Sequence, residues 1–89
     1  MEYSYPLRAD WTTAEIVNVT EFFTSVEKAF EQGAERGELL GAYSLFKEVV
    51  PSVAEEKTLF KEFKDASGYE CYKVVKRAKE GADGDIIKG

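Results

Sequence analysis

Glu56, Cys71 and the trio Lys73, Lys76 and Arg77 are the residues whose type and position could support chemistry or binding in this chain. A glutamate set among apolar neighbours becomes a poised acid or base, because burial disfavours its charged form. Glu56 falls within the arc of Leu59, Phe60 and Phe63 on a helical wheel, so it is the candidate poised acid. The plainer alternative places it in the first turns of its helix, favoured by the helix dipole and paired with a Lys or Arg at the bundle edge. A cysteine acts as a nucleophile only as a thiolate, which needs cationic neighbours. The bases nearest Cys71 in sequence point away from it, so a buried, inert thiol is expected. Lys73, Lys76 and Arg77 lie within about 100° of one another on a helix, a patch able to meet an acidic protein or a phosphate backbone. Neutralising so few phosphates gives weak, strongly salt-dependent binding. Asp83 and Asp85 are spaced like the start of a calcium loop, but the further oxygen ligands and the closing glutamate do not follow, so no metal site is expected.

The 89 residues contain no histidine and one cysteine, which removes imidazole bases, His-ligated metals, intrachain disulfides and four-cysteine clusters. Neither a phosphate-binding loop nor a dinucleotide-binding glycine turn is present. These absences argue against an enzyme and imply no cofactor. Twelve Lys and Arg against 17 Asp and Glu give a net charge of -5, which argues against nucleic-acid binding by the domain as a whole or adhesion to an anionic membrane. No apolar run approaches the roughly 20 residues that span a bilayer. The first residues carry an early acid and no basic segment followed by an apolar one, so a cytoplasmic protein is expected.

Four helices must position these residues. Thr12-Thr13-Ala14-Glu15 is a capping box, and the spacing predicts a helix from Thr13 to a stop at Gly33. Ile16, Val19, Phe22, Phe23, Val26, Ala29 and Phe30 fall within about 140° of arc on it. A second helix is expected over about residues 38 to 50, so widely apolar that it should sit in the middle. Pro51 stops it, and Ser52-Val53-Ala54-Glu55 starts a third that ends at Ser67-Gly68. A fourth, about residues 69 to 80, turns Cys71, Val74, Val75 and Ala78 inward and its bases outward. Before the helices, Tyr3, Tyr5, Pro6 and Trp11 mark an extended aromatic arm that closes one side as a lid. No strand is expected. The reading is an all-α protein, an irregular four-helix array with that arm: a single domain over residues 1–81, followed by a flexible tail, 82–89.

The combination of Tyr3-Ser4-Tyr5-Pro6, Trp11-Thr12-Thr13-Ala14-Glu15-Ile16, Phe46-Lys47-Glu48-Val49-Val50-Pro51-Ser52, Glu55-Glu56-Lys57 and Ser67-Gly68-Tyr69 resembles the YktA-like family of small proteins from low-GC Gram-positive bacteria. The resemblance implies an all-α domain and no activity, so it carries over no functional residue. The expected function is therefore a non-enzymatic protein-interaction or regulatory module that binds a protein partner through the basic face of the fourth helix, Lys73, Lys76 and Arg77, or through the groove beside the arm, as a monomer or weak homodimer. The alternative is weak nucleic-acid association through Lys73, Lys76 and Arg77; a third reading is a small enzyme or ligand carrier centred on Glu56 or the tyrosines.

Overall fold

The first helix, α1, begins at Thr13 because Thr12 and Glu15 bond each other's backbone N–H groups, satisfying two donors that a helix start leaves orphaned. A computed structural model describes residues 4–89; Tyr3, part of the expected arm, lies outside them. In chain order the elements are α1 (Thr13–Glu31), β1 (Ala34–Glu35), α2 (Arg36–Val49), α3 (Val53–Ser67), α4 (Cys71–Glu80) and β2 (Ile86–Ile87). The architecture is all-α in the main, four helices with one two-stranded antiparallel pair at one end.

Helices α1 and α2 run antiparallel: Phe22 stacks against Phe46 while Lys28, two turns further along, faces Glu38. The fully buried residues of α1 are Val19, Phe22, Phe23, Val26 and Ala29, whereas α2 fully buries only Leu39 and Phe46. Full burial is thus more extensive on α1 than on α2, although both helices pack against α4 and β1 as well as each other. The wide apolar arc of α2 includes Leu45, which stays 39% exposed, and Tyr43, which sits half-buried.

Helix α2 starts two residues before its expected position because the Glu35 carboxylate accepts from the N–H groups of both Gly37 and Glu38. Helix α3 is capped by the Ser52 hydroxyl, which accepts from the Glu55 N–H, and ends on Gly68 at φ 83°. The left-handed region suits glycine there. Helix α4 begins at Cys71 rather than Tyr69, because the Tyr69 N–H bonds the Ser67 hydroxyl and its ring stacks on Phe30 at 4.8 Å.

Residues 82–89, expected to fray, instead turn back, and strand pairing is present where none was expected. Ala82 and Asp85 close the turn, Ile87 pairs with Ala34 and is buried, and the Gly89 N–H reaches the Ala29 carbonyl. The strap passes so close to Gly33, at φ 99°, that a Cβ there would lie 2.7 Å from Ile86. A glycine is therefore required on both conformational and steric grounds. Burial of Ile87, with a few backbone bonds, holds what composition alone reads as loose.

In the arm, Tyr5 packs its ring 5.7 Å from Phe23 and 5.9 Å from Phe63, and its hydroxyl bonds Glu27. Arg8 makes a two-pronged bond to Glu62, tying the arm to α3. Trp11 is half-buried against the core.

Candidate functional site

Four of the six phenylalanines, Phe22, Phe23, Phe46 and Phe63, are fully buried, so the core of α1, α2 and α3 is a stack of rings. The inward side chains of α4 are small by comparison, Cys71, Val74, Val75 and Ala78. They close against α1 and α2 but leave the outer space between α3 and α4 unfilled. The result is an open cleft of about 610 Å³. Phe60, Val53, Cys71 and the rings of Tyr43 and Tyr72 supply its apolar surface.

Glu56 lies at the base of this cleft, 7% exposed. Lys47 Nζ lies 2.6 Å from Glu56 Oε1, and the Tyr43 hydroxyl donates to Glu56 Oε2 at 2.6 Å. A charge this buried is costly unless paired and hydrogen-bonded, and both of its oxygens are engaged within the protein. The spacing of Tyr43 and Lys47 on α2 delivers both groups to one carboxylate on α3. Burial and the bond to Glu56 push the Tyr43 hydroxyl far above its ordinary pKa, so it stays a donor. Lys79 of α4 stands over the Tyr43 ring at 5.1 Å, a cation–π contact that joins a third helix to the network.

Cys71 is fully buried at the cleft floor. Burial, with the nearby Glu56 charge, pushes its thiol well above the usual range and suppresses the thiolate. Glu56, Tyr43 and Lys47 therefore form one bonded network, with the buried Cys71 beside it. Among the described residues no three Cys, Asp or Glu gather as a metal would require, and no helix is long and apolar enough to cross a membrane. Asp83 pairs with Arg36, and Asp85 accepts from the Ala82 N–H.

Lys73, Lys76 and Arg77 are exposed on α4 as their spacing predicts, but they do not act as one group. Arg77 donates to the Lys88 carbonyl and so helps hold the strap. Lys73 and Lys76 are exposed, and neither lines the cleft. The basic residues that line the cleft are Lys57, Lys61 and Lys64 of α3, which sequence reasoning missed. Their spacing of four and three was a visible signal, obscured by the interleaved Glu62 and Asp65. Val53 and Tyr72 flank the cleft at 60% and 54% exposure.

The fold and this cleft define a small helical protein with a preformed, lysine-edged apolar depression. The profile of UPF0223, an uncharacterised protein family, matches residues 2–87, and the chain belongs to that family. It is 58% identical over 88 residues to a UPF0223 protein of Lysinibacillus sphaericus, covering 99% of this chain and 93% of that one. It is 56% identical over 80 residues to UPF0223 protein YktA of Bacillus subtilis, covering 90% and 91% respectively. A UPF0223 protein of Oceanobacillus iheyensis shares 48% identity over 97% of this chain and 98% of its own.

Proposed function

We propose that this protein is a non-enzymatic interaction module that binds a protein partner through the cleft between α3 and α4, in the cytoplasm, where a lone unpaired thiol is stable. The observation that carries the reading is the open cleft with Val53 and Tyr72 standing exposed at its edge. Tyrosine is among the residues that supply most interface energy, and the exposed Val53 adds apolar area beside it. The internal pairing of Glu56 supports binding over catalysis, because each carboxylate oxygen already accepts a short bond from within the protein. Nucleic-acid association through Lys73, Lys76 and Arg77 is the weaker reading, since Arg77 is engaged by the strap. The cleft volume also falls in the range of small-ligand sites, which keeps a ligand carrier as an outcome of the test.

A photo-crosslinking amino acid placed at Tyr72, and separately at Lys73 on the outer face of α4, tests the proposal in the protein's own cells. The expected result is one protein crosslinked from position 72 and little from 73. Crosslinking only to nucleic acid, only to a small molecule, or only from 73 overturns it.

A further inference from the structure

We infer that the occupant of the cleft is an acidic peptide segment carrying an apolar anchor, an inference that rests on the protein-partner reading above and specifies its chemistry. The sign of the charge follows from which groups remain able to bond an incoming chain. Glu56, the buried acid of the cleft, is consumed by Lys47 and Tyr43. Glu70 is exposed and stands 3.9 Å from Lys64. Lys61 shares its charge with Asp65 on its own helix, both side chains being more than two-thirds exposed. Lys57 has no ionic partner among the described residues. Exposed pairs of this kind contribute about 1 kcal/mol or less and exchange readily for a better-placed carboxylate.

On α4, Lys79 stands over the ring of Tyr43, which lines the cleft. The apolar surface of Phe60, Val53 and Tyr72 is thus edged by the ammonium groups of Lys57, Lys61 and Lys64, in a chain whose net charge is -5. An acidic segment is repelled by the rest of this surface and attracted here, which gives register as well as affinity. Lys57, Lys61 and Lys64 span two helical turns, about 10 Å along α3. The matching carboxylates therefore lie two turns apart on a partner helix, or about three residues apart on an extended segment, with an aromatic or aliphatic side chain between them to enter the cleft.

The test uses the full chain as bait for a random peptide library displayed on phage, followed by anisotropy titration of the enriched peptide made synthetically. The expected consensus has acids flanking an apolar residue. Its affinity falls at least about tenfold in the triple variant Lys57→Glu, Lys61→Glu, Lys64→Glu, and clearly in the milder triple glutamine variant, with both variants retaining helical circular dichroism. The double variant Lys73→Glu, Lys76→Glu, at positions that do not line the cleft, leaves binding within about twofold. A neutral or basic consensus, or affinity indifferent to the α3 lysines, overturns the inference while a protein crosslinked from position 72 preserves the broader reading. Failure to enrich any peptide, together with no protein crosslink at 72, overturns both.

Discussion

The two sides of α3 are built to different rules. Towards α1 and α2 the space is closed by rings, with Phe23 and Phe63 stacked at 4.6 Å and Phe22 lying 4.7 Å from Phe46 and 5.7 Å from Phe60. Towards α4 the inward side chains of that helix, a thiol, two valines and an alanine, close against α1 and α2, and a cleft remains beside α3. Dense aromatic packing stabilises the chain and leaves no room for a ligand, whereas small side chains on one wall leave surface that can be covered later by something else. The same helix therefore builds the core through Leu59 and Phe63 and lines the cleft through Val53, Lys57, Lys61 and Lys64.

The contrast is sharpest in core truncation. Phe22→Ala is expected to cost about 3–5 kcal/mol in urea denaturation, while Val53→Ala at the cleft edge stays within about 0.5 kcal/mol. Comparable losses at the two positions would mean that the cleft is part of the stabilising core after all. Next in size is the network beneath the cleft. Removing the charge by Glu56→Ala leaves Lys47 and the Tyr43 hydroxyl without their partner, for a cost of about 2–3 kcal/mol; Tyr43→Phe costs about 1 kcal/mol. The double variant should be non-additive by about 0.5 kcal/mol or more, since both changes remove one shared bond. Strict additivity would show that Tyr43 and Glu56 are not coupled in solution.

The smallest effect belongs to the arm. Arg8→Ala is expected to cost about 0.5 kcal/mol or less, because the pair with Glu62 is exposed. Its signature is in pH. The Arg8 guanidinium holds the Glu62 carboxyl below its ordinary range, so the contribution is present above the unfolded carboxylate pKa and fades as pH falls through the folded one. Melting curves of wild type and Arg8→Ala should therefore converge in acid and separate near neutrality, and a constant gap across that range would sink the assignment.

Much of this organisation is legible in the residues themselves. Thr12 with Glu15, Ser52 before α3 and Gly68 after it are local signals acting through neighbouring backbone groups, and α3 has the bounds its caps specify. Glu56 is legible too, because a charge on an apolar arc must find a partner. What it finds is less so: Tyr43 and Lys47 come from another helix, and only the crossing of α2 over α3 brings them together. Helix α2 starts early because a glutamate, not a preferred capping residue, bonds its first N–H groups. The pairing of Ala34 with Ile87 is invisible to periodicity, since two residues cannot display a repeat of two and their partners lie far off in sequence, with α2, α3 and α4 between them. The cleft is a difference in side-chain size between facing helices, which no single-helix pattern contains.

That distant pairing also orders events in time. On the ribosome, α1 and α2 emerge with all they need to meet, yet the strand that closes their connecting end is made only after α3 and α4. At roughly 5–20 residues per second, the wait is on the order of seconds, far longer than helices take to form. During that interval Ala34 and Gly33 await the strap, so the nascent chain carries an unfinished edge that Ile86 and Ile87 must seal.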